Sequence, residues 1–169
     1  MQSHRKDAEI EFRYYCKDNG IHLYSTIEEA VETWAIENRP LSQQSERMSY
    51  IYYAYGSYFY TDVYEGTSAG LLQANVIVPT IALQASRFFD TKYMVAAQVH
   101  SHPEPGHGFH NDFPSYNLDV RGGDRIATIL CGYPEMFIIP YLPCPGTPGV
   151  IRVSDPETWC SDHPYWFIP

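Results

Sequence analysis

The sequence has no apolar run approaching the roughly 18 residues that a membrane-spanning helix needs, so a chain threaded through a bilayer is not expected. It has no apolar stretch behind the basic residues of Met1-Gln2-Ser3-His4-Arg5-Lys6-Asp7, so no Sec-type signal is expected either. It has no C-x-x-C pair. Cys16, Cys131, Cys144 and Cys160 are widely spaced, which removes a zinc finger from consideration. Free thiols in a reducing cytoplasm are the expectation, and one bridge among Cys131, Cys144 and Cys160 is the alternative if the protein is exported by a non-Sec route. Positive charge is scarce: 11 Lys plus Arg stand against 20 Asp plus Glu, a net charge of −9. A nucleic-acid binder carries the opposite balance. The chain also has no internal repeat, no low-complexity tract and no interdomain linker, and 169 residues suit one domain.

What it does have is aromatic and apolar mass. Hydrophobic residues make up 44% and aromatics 15%, with 15 Tyr, enough for a real core. Residues 8–15 carry one amphipathic stretch inside an N-terminal extension, 1–24. Ser25 and Glu28 have capping-box spacing, and Ile27, Ala30, Val31 and Trp34 then fall on one helical face. Pro40 ends that helix and a polar connector follows. From Glu46 the period changes to that of a strand over 46–53, with a turn at Gly56 and a return strand over 57–64. Tyr and Phe crowd this hairpin, and packing on strands is the plain reason. Residues 66–70 read as loop, 75–78 as a short strand, and Pro79 opens a helix. Residues 93–99 form a continuous apolar run, as a buried central strand would. After a loop over 104–114, Ser115 caps a helix of about fifteen residues. Strands over 135–142, where Pro140 marks an edge or an end, and over 150–153 complete the domain, 25–153. An aromatic tail covers 154–169. The fold class expected is α+β, a mixed β-sheet flanked by helices.

The chemistry centres on His100-Ser101-His102-Pro103 at the end of the apolar strand. Two residues apart on a strand, both imidazoles project from one face and can converge on one metal ion. Zinc (Zn2+) takes such nitrogen ligands, adds a third protein ligand and keeps a position open for water when catalytic. Asp119, one turn into the helix that Ser115 opens, supplies a carboxylate ligand; as plain structure it would stabilise the helix dipole. Asp112, His107 and His110 are alternative third ligands. Glu46, at the head of the first aromatic strand, is the candidate proton acceptor beside the bound water. Read plainly, it is an exposed carboxylate at a strand start.

Together these residues resemble the JAMM, or MPN-plus, metalloproteases, also called JAB-domain proteins. Their pattern is an upstream Glu, a strand ending in His-x-His-Pro, and Ser-x-x-Asp opening a helix. The text is most similar to a bacterial JAB-like branch of polymorphic-toxin and Rhs-associated proteins. The matching residues are Thr26-Ile27-Glu28-Glu29-Ala30, Pro40-Leu41-Ser42, the stretch 46–53, Tyr58-Phe59-Tyr60-Thr61-Asp62, Gly66-Thr67-Ser68, the stretch 99–103, and Pro114-Ser115 through Asp119. The resemblance spans residues 25–153. Two features depart from the pattern: three residues, not two, separate Ser115 from Asp119, and the loop after Pro103 is long.

The resemblance implies a JAB/MPN-like (cytidine-deaminase-like) domain and a zinc-dependent peptidase or isopeptidase in a bacterial toxin, effector or secretion system. His100, His102 and Asp119 would hold zinc, Glu46 would shuttle the proton, and Ser115 would hydrogen-bond the developing oxyanion. A peptide or protein substrate would bind as an added strand along a sheet edge, with the Tyr-rich hairpin and the 104–114 loop as walls. Neither nucleic acid nor a membrane is an expected partner. The alternative is a non-catalytic JAB-like binding or adaptor module of such a system. A cytoplasmic location is expected, with non-Sec export as the alternative.

Overall fold

Helix α1 (Gln2–Asp18) covers most of the stretch expected to be an extension, and it is longer than its amphipathic centre suggests. It seats Phe12 and Cys16, one turn apart, against the sheet. The structure is a computed structural model that describes residues 2–66, 94–104, 135–143 and 149–153. The expected strand at 75–78, the helix from Pro79, most of the 104–114 loop, the helix from Ser115 and the aromatic tail all lie outside the described residues.

Helix α2 (Ile27–Asn38) starts one residue later than the Ser25 spacing suggests. Thr26 and Glu29 have the same spacing as Ser25 and Glu28, and it is Thr26 Oγ1 that accepts from the Glu29 backbone N–H, at 3.2 Å. Ile27, Ala30, Val31 and Trp34 form the buried face, joined by Ala35 and Asn38. A 3-10 turn over Arg39–Leu41 takes Pro40 and closes the helix.

The sheet follows. Strand β1 (Arg47–Ala54) returns through Tyr55 and Gly56, both at positive φ (50° and 77°), as a tight two-residue hairpin turn requires. The return strand is broken, not continuous over 57–64: β2 (Ser57–Phe59) pairs with one end of β1 and β3 (Tyr64–Glu65) with the other. Between them, the Asp62 carbonyl accepts a 2.7 Å bond from Ser49 Oγ, so a side chain takes the place of a ladder bond. Strand β4 (Met94–His102) runs antiparallel to β1, β5 (Met136–Pro140) runs parallel to β4, and β6 (Ile151–Val153) closes antiparallel to β5. The order is β2-β1-β4-β5-β6. Strand β5 is therefore interior, and Pro140, which lacks an N–H, is its last residue. Among the described residues the fold is α+β, with one mixed sheet and a helix against each face.

Alternation divides the core in two. One face of the sheet, with Ile51, Ala97, Val99, Phe137 and Ile139, packs on α2. The opposite face carries Met48, Tyr50, Tyr52 and Phe59 under α1, with Met136, Ile138, Ile151 and Val153 beyond them. Much of the hairpin's aromatic content is thus core. Its tip stands six residues along β1 from Met48, the partner of His100, about 20 Å at strand rise.

Candidate metal centre

Strand β4 ends in Gln98-Val99-His100-Ser101-His102. Gln98, His100 and His102 share one face, and Val99 and Ser101 the other. His100 lies opposite Met48 on β1 and beside Ile138 on β5, and His102 lies beside Pro140. All three polar side chains are buried, at 5%, 4% and 3% exposure. Such groups are tolerated when hydrogen-bonded.

The two Nε2 atoms of His100 and His102 stand 3.1 Å apart, with ring centroids 5.0 Å apart and planes inclined by 48°. Two nitrogens on one tetrahedral zinc, each at about 2.0–2.1 Å, are about 3.3 Å from one another. The pair therefore fits two ligands of a single ion with little movement. At this separation one Nε2 donates its hydrogen to the other. His100 Nδ1 lies 2.8 Å from Gln98 Oε1.

The strand end is pinned from its other face. Ser101 Oγ accepts from the Arg47 backbone N–H at 3.0 Å. Arg47 Nε donates to Asn38 Oδ1 at 3.0 Å, Asn38 Nδ2 donates to the Trp34 carbonyl at 2.9 Å, and Ser42 Oγ donates to the Asn38 carbonyl at 2.6 Å. These bonds tie the head of β1 and the end of β4 to the last turn of α2.

Glu46 immediately precedes β1 and is half-buried. Its carbonyl accepts from Gly66 N at 2.7 Å on one side, and on the other Glu104 N donates to the Gln43 carbonyl at 2.9 Å, so the two chains stay adjacent past the strand ends. The β1–β4 register ends at Met48–His100, and beyond it the Arg47 N–H turns to the Ser101 side chain.

Of the five residues expected at the site, the structure brings His100 and His102 together, while Glu46 lies just before β1, two residues ahead of Met48, the strand partner of His100. Ser115 and Asp119 lie outside the described residues, as do Asp112, His107 and His110. Among the described residues, no group of three or more His, Cys, Asp or Glu side chains is placed to hold a metal ion. The sequence reading passed over Gln98 and Ser101. The period-two pattern Gln-x-His-x-His was the available signal for Gln98, while nothing local marked Ser101 as the anchor of Arg47. No family model, no curated protein and no solved structure matches the chain.

Proposed function

We propose that the chain is a zinc-dependent peptidase or isopeptidase with a JAB/MPN-like arrangement of its site. The observation that carries this reading is the 3.1 Å approach of two Nε2 atoms from buried histidines on one strand face. Bound there, zinc would polarise the scissile carbonyl and lower the pKa of the attacking water towards about 7. His100 and His102 would hold the ion through Nε2, with Asp119 as the third ligand on the strength of the sequence pattern. Glu46, just before β1, would accept the water's proton on its carboxylate and return it to the leaving amine. Ser115 Oγ donates to the developing oxyanion. The substrate is a peptide or protein segment laid along the sheet as an added strand.

The test is a zinc titration of the full chain by calorimetry, together with hydrolysis of a peptide library read by mass spectrometry. One zinc per chain and a raised melting temperature are expected. His100→Ala and His102→Ala lose the ion, whereas Glu46→Gln keeps it and loses turnover. Asp119→Asn loses zinc and Asp112→Asn keeps it; the reverse result moves the third ligand to Asp112. A chain that takes up no zinc sinks the hydrolase and leaves the binding module.

A further inference from the structure

We infer that Gln98 is a positioning residue that sets the tautomer of His100 and so presents a bare Nε2 to a metal ion. The inference rests on the zinc reading above for its purpose, though not for its geometry. Gln98 Oε1 and His100 Nδ1 are 2.8 Å apart and both side chains are buried. An amide oxygen has no hydrogen to give, so the hydrogen between them sits on Nδ1. An uncharged imidazole with its hydrogen on Nδ1 has a lone pair on Nε2. That is the atom 3.1 Å from His102 Nε2. His102 then donates from Nε2 to His100 Nε2, and metal binding would require a single change: His102 gives up its Nε2 hydrogen, either to its own Nδ1 or to solvent. Metal-ligating histidines are commonly held this way, by an acceptor on the other ring nitrogen that fixes both tautomer and ring orientation.

The placement follows from the strand. Residues 98, 100 and 102 are successive members of one face, so the glutamine reaches the first ring as that ring reaches the second. The Gln98 backbone is itself fixed, since its N–H donates to the Glu135 carbonyl at 3.1 Å. A carboxylate at position 98 would accept the same hydrogen. An aliphatic side chain would not, and would free the ring to take the Nε2–H form.

Long-range 15N–1H correlation spectra of histidine-labelled chain test this without metal, with the His100 signals assigned by their loss in His100→Asn. The expected result is an Nδ1–H tautomer in the native chain, a shift to Nε2–H in Gln98→Leu, and restoration in Gln98→Glu. In parallel, zinc affinity by calorimetry should fall about 10–100-fold in Gln98→Leu and return in Gln98→Glu. Circular dichroism of each variant separates these effects from loss of fold. An Nε2–H tautomer in the native chain overturns the inference, and so does a Gln98→Leu variant whose tautomer and zinc affinity match the native chain. If the native chain binds no zinc, the hydrolase reading fails alone, and the tautomer spectra still decide what Gln98 does.

Discussion

The two faces of β4 are both buried, yet they use polar atoms in opposite ways. On the α2 face, polar side chains join separate elements: Ser101 on β4 to Arg47 on β1, Trp34 Nε1 on α2 to Ser49 Oγ on β1 at 2.8 Å, and Ser49 onward to Asp62. On the other face, the bonds between Gln98, His100 and His102 run along a single strand, and so tie no two elements together. Burying an imidazole carries a desolvation cost that an aliphatic side chain at the same place avoids. The α2 face is built for stability. The histidine face turns its polar atoms toward one another within one strand, which is the physical ground for reading it as a site.

The sharpest way to break this contrast is to remove the anchor of each face. Trp34 is fully buried and donates to Ser49. Trp34→Ala should lower unfolding free energy by about 3–5 kcal/mol in urea titrations, through the cavity and the stranded hydroxyl together. The paired substitution His100→Leu with His102→Leu should behave differently. Removing both partners of the His100–His102 bond is close to neutral in itself, but Gln98 Oε1 is left buried without its Nδ1 partner, so the metal-free chain should lose about 1–3 kcal/mol, less than Trp34→Ala. The same variant should lose the zinc-dependent gain, which for a chain at a free zinc concentration of 100 Kd is about 2.7 kcal/mol. If the double variant unfolds as readily as Trp34→Ala, the histidines are architectural and the contrast fails.

Ser101 sharpens the comparison because it lies between the two histidines in sequence and on the opposite face in space. Ser101→Ala removes the acceptor of the Arg47 N–H. A loss of about 1 kcal/mol in denaturant titrations is expected, with zinc affinity changed little. A large fall in zinc affinity would show instead that the grip on Arg47 sets the ring positions.

How much of this was legible depended on how local each signal is. The α2 face was readable because Ile27, Ala30, Val31 and Trp34 repeat at helical spacing and all are buried. Its cap was misplaced by one residue because two overlapping Ser/Thr-x-x-Glu spacings compete there. Strands β1 and β4 were readable from composition, and the histidine pair from a period of two. The full length of α1 was not, since its buried contacts rest chiefly on Phe12 and Cys16 in an otherwise polar sequence. The break between β2 and β3 was hidden because Ser49 and Asp62, thirteen positions apart, make it. Gln98 was overlooked because a lone glutamine in an apolar run has no motif value until its oxygen is seen against a ring nitrogen.

Alkali probes the side of the sheet that α1 covers. Burial pushes the Cys16 thiol up from 9.0 to about 11, against a smaller opposing pull from Arg13. The native state therefore keeps a proton that the unfolded chain releases. Stability from this group is complete below about pH 9 and declines as the pH rises towards 11. Urea midpoints followed over that range should fall in the native chain and fall less steeply in Cys16→Ala. An equal slope in both would mean that the thiol meets solvent in the folded state.

The smallest effect lies in acid, and it tests whether the two faces are independent. The Glu28 carboxyl is held below its ordinary 4.5, first by its own backbone N–H in the opening turn of α2 and then by Arg152. Arg152 NH1 meets Glu28 at 2.7 Å, while its Nε and NH2 each donate to Glu135 at 2.8 Å. The ion pair thus ties α2 to β6 and the start of β5 across the α2 face. A carboxyl with a depressed folded value contributes stability above about pH 4.5 that is lost as the pH falls through the folded value. Glu28 is exposed and screened by solvent, so the contribution is small. Glu28→Gln should flatten the acid limb of the urea-midpoint profile slightly and leave zinc affinity at neutral pH unchanged. A shift in that affinity would mean that strain on the α2 face reaches the histidines through β5, and the division between a structural and a chemical face of β4 would have to be abandoned.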